Sequence, residues 1–156
     1  MPAQSLRFGG RWVAALLAAA VLLAGCSSDS KEATSVPQVG FTDFSALHPA
    51  VGYGLLRVMT LEERPNPRDI VIYSAIPNEV PRIAGVITTV AQTPLSHVNL
   101  RAIQDNVPNA YLPGVLNDER VTALVGKYVK YAVANDSVTI ASATQAEVEA
   151  HRAELA

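Results

Sequence analysis

Cysteine and histidine are scarce in this sequence of 156 residues, which argues against sites built from several cysteines or histidines. The single cysteine, Cys26, excludes an internal disulfide framework and a metal centre built from several thiolates. The three histidines are scattered along the chain, and His97 has no second metal ligand at helical spacing beside it. We therefore expect no metal site.

Positive charge and phosphate-binding loops are also lacking. Lysine and arginine number 12 against 14 aspartates and glutamates, so the formal net charge is −2, and no basic patch stands out. Nucleic acid is therefore not an expected partner. The sequence has no glycine-rich phosphate loop and no cluster of metal-binding carboxylates. Its length predicts one domain with one hydrophobic core.

The N-terminus has the features of a targeting segment. Two arginines precede an apolar run over residues 12–24, which is shorter than the roughly twenty residues that a membrane span needs. Leu23-Ala24-Gly25-Cys26 resembles a bacterial lipobox. This resemblance implies that residues 1–25 are a lipoprotein signal peptide and that Cys26 carries a lipid anchoring the chain outside the cytoplasmic membrane. An ordinary secretory signal and a single-pass anchor are the alternatives.

Residues 26–47 are predicted to form a flexible tether. The segment begins with serines and charged residues without an apolar period, and Pro37 and Gly40 interrupt the rest. The folded domain is expected to begin at residue 48.

Beyond residue 48, short β-forming runs bounded by turns surround one helical pattern, which predicts an α/β domain. The predicted strands are Val51–Met59, Asp69–Tyr73, Ala84–Thr88, Asn109–Leu112, Gly126–Val133 and Ser137–Ala141. A polar helix is predicted over residues 143–156. Since it stops without a C-cap, we expect longer relatives to continue beyond it.

The most informative stretch follows the third predicted strand. After Pro94 the apolar residues recur at helical spacing, so Ser96 is a predicted N-cap and His97 the first helical residue. The helix is expected to end near Asn106. Unpaired backbone N–H groups and the positive end of the helix dipole would favour an imidazole that becomes anionic on phosphorylation.

These residues resemble a known family. Thr93-x-x-Ser96-His97, followed by Val107-Pro108, resembles the phosphohistidine (swivelling) domain of phosphoenolpyruvate synthases, pyruvate phosphate dikinases and glucan water dikinases. The run Ser-His-Val-Asn-Leu-Arg-Ala, with Gln-Thr-Pro-Leu before it, is most similar to the glucan-dikinase-like bacterial branch. The resemblance covers residues 48–142 and implies a swivelling β/β/α fold.

The resemblance also implies a role for each site residue. In the family the histidine carries a phosphoryl group between an ATP-grasp domain and a second active site, so His97 is the candidate catalytic residue. Thr93, Ser96 and Arg101 are the candidate phosphate-binding residues. Many relatives carry another arginine six residues past the histidine, where this sequence has Ile103.

The partners follow from the same resemblance. ATP and magnesium are expected on an ATP-grasp partner, with no cofactor in this chain, because the 156 residues hold neither that domain nor a phosphoenolpyruvate barrel. Two hypotheses stay open: a phosphotransfer module, and a lipid-anchored binding or structural module that keeps the fold without turnover. For His97 itself, the alternative is a structural histidine that packs against the helix start. An ATP-grasp sequence encoded next to this chain would favour phosphotransfer.

Overall fold

The computed structural model describes residues 36–156, which form a mixed α/β domain with eight strands in one sheet and three helices. The strands are β1 (Gln38–Gly40), β2 (Ser45–His48), β3 (Ala50–Met59), β4 (Asp69–Tyr73), β5 (Gly85–Thr88), β6 (Asn109–Tyr111), β7 (Tyr128–Val133) and β8 (Val138–Ser142). The helices are α1 (His97–Asp105), α2 (Glu119–Thr122) and α3 (Gln145–Leu155), with a 3₁₀ turn at Val115–Asn117.

The middle of the sheet is parallel. The strand order is β1-β8-β7-β3-β4-β5-β6-β2, and the pairs β3–β4, β4–β5 and β5–β6 run parallel while the outer pairs are antiparallel. Helix α1 makes the crossover from β5 to β6, as a parallel connection requires. The carboxyl ends of β3, β4 and β5 therefore meet at one edge of the sheet, where the loop before α1 begins.

A short link between the two edge strands curls the sheet. Strands β1 and β2 stand at opposite ends of the order, yet only residues 41–44 separate them in the chain. Eight flat strands would place the edges about 34 Å apart, whereas such a link spans at most about 19 Å. The sheet must therefore curl until its edges approach each other.

The two faces of the sheet carry separate apolar clusters. The larger cluster includes Leu56, Ile72, Ile87 and Ile140, and Tyr131 lies in it fully buried with its hydroxyl donating to the carbonyl oxygen of Val86 at 3.1 Å. The smaller cluster lies on the other face, where α1 packs. Its members are Met59, Val71, Tyr73, Val80, Ile83, Val86 and Val98. One core thus stabilises the sheet and the other attaches α1 to it.

Gly52, in the long strand β3, allows a close backbone approach. A Cβ at this position would overlap the carbonyl oxygen of Ala84. Gly54 has the same relationship to the carbonyl oxygen of Arg68. Because backbone oxygens cannot move aside as a flexible side chain can, both positions require glycine.

Most of the predicted elements are confirmed. Strand β4 has the predicted bounds, α1 begins at His97 after the Ser96 cap, and it ends at Asn106 in the left-handed conformation (φ 51°). The last two predicted strands form β7 and β8, which pair antiparallel. The C-terminal helix begins after Thr144, whose hydroxyl and backbone N–H exchange hydrogen bonds with Glu147 in a capping box.

The predicted tether is wrong from Gln38 onward. Strand β1 pairs with β8 and strand β2 with β6, so both belong to the sheet. Val39 is only 5% exposed, and Phe41 and Phe44 pack against the larger core. Local composition failed here because short edge strands are stabilised by partners far along the chain. The signal peptide predicted over residues 1–25, lipidated Cys26 and residues 26–35 of the predicted tether lie outside the described residues.

Candidate functional site

His97 lies at the start of α1, directly after the loop that follows β5. Its side chain is exposed, and no hydrogen bond joins its ring to any residue between 36 and 156. The backbone N–H groups of His97 and Val98 likewise have no acceptor in that range, as is usual in a first helical turn. The ring therefore lacks the enclosed, carbonyl-bonded setting of a structural histidine.

Ser96 is the N-cap of α1, and the one hydrogen of its hydroxyl is already donated within the protein. The Oγ atom accepts the backbone N–H of Asn99 at 3.1 Å and donates to Oε1 of Gln92 at 3.2 Å. A serine hydroxyl has only one hydrogen to donate. The Ser96 hydroxyl, predicted from the family to bind phosphate, would have to break its bond to Gln92 to donate to an anion.

The side-chain amide of Gln92 makes four hydrogen bonds, two through each end. Its Nε2 donates to Oγ1 of Thr88 at 2.8 Å and to Oδ1 of Asn109 at 3.0 Å. Its Oε1 accepts from Ser96 and from Nδ2 of Asn109 at 3.2 Å. An amide can donate twice and accept at two lone pairs, so Gln92 is saturated. It links β5, β6 and the cap of α1.

Two buried asparagines complete this amide network. Asn109 is 0% exposed and Asn99 2% exposed, and Nδ2 of Asn109 donates to Oδ1 of Asn99 at 3.1 Å. Asn99 in turn donates to the carbonyl oxygen of Pro94 at 2.8 Å. Within residues 36–156 no buried side-chain nitrogen or oxygen lacks a partner. The network therefore meets the condition under which buried polar groups stabilise a unique arrangement.

Sequence reasoning missed the network residues as part of the site. In the sequence, Gln92 and Asn99 stand out only as part of the family pattern, and Asn109 only as the first residue of a predicted strand. The sequence signal that could have identified them is a polar residue at a position where an apolar one is expected. Asn99 lies between Val98 and Ala102 on the buried face of α1, and Asn109 is the first residue of a buried strand.

The other two candidate phosphate-binding residues flank His97. Thr93 is exposed, and its carbonyl oxygen accepts the N–H of Ser96 at 3.0 Å. Arg101 is half-exposed and lies one helical turn after His97, where its Nε donates to Oδ2 of Asp105 at 2.7 Å. The guanidinium group is thus partly engaged by a carboxylate of its own helix.

A groove of about 770 Å³ lies beside α1, next to the ends of β3 and β4. Arg101 lines it together with Leu61, Tyr73 and Val80, whereas His97, Thr93 and Ser96 do not. Burial, with smaller contributions from Asp69 and Glu63, raises the pKa of Tyr73, so its phenol stays protonated at neutral pH. The structure therefore does not place His97 inside this groove.

The remaining histidines have packing partners. The ring of His151 packs against that of Tyr53 at a tilt of 41° with 4.8 Å between centroids, and its side chain is 21% exposed. Nε2 of His48 lies 3.3 Å from Oδ1 of Asn106, the residue that ends α1. Both have the structural surroundings that His97 lacks.

No family model matches this chain, and no curated protein matches it either. Among residues 36–156, no three histidine, cysteine, aspartate or glutamate side chains are grouped so that they could hold a metal ion. The same part of the chain contains no helix long and apolar enough to cross a membrane. The site must therefore be interpreted from its own geometry and from the sequence resemblance.

Proposed function

We propose that this chain is a phosphotransfer module of the swivelling phosphohistidine type and that His97 carries the phosphoryl group. The observation that carries the proposal is the exposed, unbonded ring of His97 at the first position of a capped helix. The ring of a carrier histidine must protrude from its own domain so that it can enter the active site of a partner. A ring enclosed by other side chains cannot do this. The parallel strands on either side of α1 are consistent with this fold type.

The reaction begins with an unprotonated ring nitrogen of His97. It attacks the phosphorus atom of the donor, the new N–P bond forms, and the P–O bond to the leaving group breaks with its electron pair staying on that oxygen. In the second half, an acceptor oxygen attacks phosphorus and the electron pair of the N–P bond returns to the imidazole. In both half-reactions the protein contributes mainly by positioning the reacting atoms and by stabilising the charge on the phosphoryl oxygens.

The residues near His97 can supply that stabilisation. The N–H groups of His97 and Val98 point out of the helix start, where the dipole favours an anion. The Thr93 hydroxyl is exposed on the preceding loop. Ser96 contributes by capping the helix, and Arg101 by offsetting phosphoryl charge.

Arg101 must turn away from Asp105 to reach a phosphoryl group. Its side chain is 43% exposed and that of Asp105 is 15% exposed, so the guanidinium stays accessible from solvent although the ion pair is partly shielded from water. A phosphoryl group carries more negative charge than a carboxylate and offers three acceptor oxygens. The phosphoryl group therefore competes well with Asp105 for this guanidinium.

The donor is expected on a separate ATP-grasp partner that binds ATP and magnesium. The test is to incubate the full chain with a purified ATP-grasp domain of the phosphoenolpyruvate synthase type, Mg²⁺, and ATP labelled in its β and γ phosphates. We expect acid-labile label on wild type and on His151→Ala, and none on His97→Ala. Failure of wild type to take label, or label retained by His97→Ala, would contradict the proposal.

Two observations favour a second candidate, a swivelling-fold binding or structural module without turnover. The Arg101 guanidinium is already paired with Asp105, and Ile103 stands where many relatives have a second arginine. Under this alternative, the chain binds its partner without accepting label. The labelling experiment, combined with a pull-down of the same ATP-grasp protein, separates the two functions.

We further propose that Cys26 is lipidated and holds the module outside the cytoplasmic membrane. Support comes from the lipobox-like Leu-Ala-Gly-Cys sequence. Detergent partitioning of wild type against Cys26→Ser tests this proposal. Wild type should enter the detergent phase and the variant should not, whereas equal partitioning would point to another anchor.

A further inference from the structure

We propose that Gln92 is a positioning residue for His97, which it holds in place through Ser96. This inference rests on the proposed phosphotransfer function. Gln92 makes direct hydrogen bonds to Thr88 at the end of β5, to Asn109 at the start of β6, and to the N-cap of α1. It is the one side chain of the network that bonds to all three elements.

The path from the core to His97 has two steps. Asn109 is fully buried, and its amide pairs reciprocally with that of Gln92 through bonds of 3.0 and 3.2 Å. Gln92 then accepts the Ser96 hydroxyl, whose oxygen accepts the N–H of Asn99 within the first turn of α1. The loop over residues 89–96 is thus attached to the sheet next to the catalytic ring.

Phosphoryl transfer requires the loop before His97 to be held in a defined position. The attacking nitrogen and phosphorus must meet at about 3–3.5 Å in the correct direction, and a misplacement of about 1 Å can lower a rate about 100-fold. The N–H groups that face the phosphoryl oxygens follow the direction of the first helical turn. Ser96 caps that turn and Gln92 fixes the Ser96 hydroxyl, while Asn109 holds the same turn through Asn99.

An amide is required at this position, and a carboxylate of the same shape would not suffice. In Gln92→Glu, both Nε2 donors are lost, and the carboxylate would face the lone pairs of Oδ1 of Asn109. The Thr88 hydroxyl donates to the carbonyl oxygen of Val90 at 2.9 Å, so it could bond the carboxylate only by leaving that partner. The substitution should detach the loop without changing side-chain volume.

The first measurement follows loop order by hydrogen exchange in the full chain. We expect the amides of residues 93–100 to exchange about tenfold faster in Gln92→Glu, while those of β7 stay unchanged. Thr88→Val, which removes one bond to Gln92 at nearly constant volume, should show a smaller change in the same segment. Gln145→Glu, the same substitution at an exposed position in the first turn of α3, should behave like wild type.

The second measurement is the rate of labelling by the ATP-grasp partner as its concentration is varied. For Gln92→Glu we expect the rate at saturating partner to fall about 100-fold with little change in the half-saturating concentration. Gln145→Glu should keep the wild-type rate. A substitution that only weakened binding of the ATP-grasp partner would instead raise the half-saturating concentration of that partner.

The outcomes separate the two proposals. Exchange that stays at the wild-type level in residues 93–100, or that rises equally in β7, overturns the positioning role. A loosened loop with an unchanged labelling rate overturns it as well. If wild type takes no label, the proposed function fails and the catalytic part of this inference fails with it, while hydrogen exchange still reports whether Gln92 holds the loop.

Discussion

Arg101 donates from Nε to Oδ2 of Asp105, one turn further along the same helix, at 2.7 Å. If His97 carries a phosphoryl group as proposed, this ion pair limits the charge that Arg101 can offer to it. Because Arg101 stays 43% exposed, the pair restrains the guanidinium and leaves it accessible from solvent.

The first prediction separates the two roles of Arg101. Arg101→Gln should lower the labelled fraction of the chain about tenfold, because a charged hydrogen bond to the phosphoryl group is lost. Asp105→Asn should keep or increase the labelled fraction, since it releases the guanidinium. Equal labelling of Arg101→Gln and wild type would mean that Arg101 only pairs with Asp105.

The second prediction compares His97 with His151. His97→Ala should change the free energy of unfolding by no more than about 0.5 kcal/mol, since the ring is exposed and unbonded. His151→Ala should cost about 1 kcal/mol because its ring packs at a tilt against that of Tyr53. Urea unfolding of the full chain provides both values. A larger loss at His97 than at His151 would identify His97 as the structural histidine.

The third prediction tests the edge strand that replaced part of the expected tether. Val39→Ala should destabilise the domain by about 2 kcal/mol, because Val39 is only 5% exposed in the larger core. Val36→Ala removes the same atoms from a side chain that is 49% exposed and should change little. Equal urea midpoints for the two variants would show that β1 contributes no stability.

The fourth prediction concerns the close backbone approach at Gly52. Gly52→Ala should cost about 3 kcal/mol or more, because the added Cβ would overlap the carbonyl oxygen of Ala84 and the backbone would have to move. Gly114→Ala is the matched control, since a Cβ there meets nothing within 4 Å. Thermal unfolding of both variants, scored as the shift of the midpoint, is the measurement.

The fifth prediction is that the stabilising effect of the capping box of α3 depends on pH. The backbone N–H and hydroxyl of Thr144 lower the pKa of Glu147. A carboxylate with a lowered pKa stabilises the folded state above its unfolded pKa of about 4.3, and this contribution is lost as the pH falls through the folded value. Unfolding of wild type should therefore be more sensitive to acid than that of Glu147→Gln. Parallel pH profiles would rule out the contribution.

Local rules account for what the sequence alone determined. Alternation and β-branched residues located strands such as β4, and the serine before an apolar helical period located the start of α1. These signals depend only on a few neighbouring residues, so they can be recognised in the sequence without knowledge of the fold. They also placed His97 at the first helical position, which is the basis of the proposed function.

The tertiary structure decided the features that join distant segments. The chain around Val39 looks like a tether until β8 supplies a strand for it to pair with. Gln92 became part of the site only when β6 brought Asn109 against it, seventeen positions along the chain. The same contacts engaged the Ser96 hydroxyl, which the family pattern had assigned to phosphate. Hydrogen-bond partners of this kind are chosen by proximity in space, which no local pattern of residues specifies.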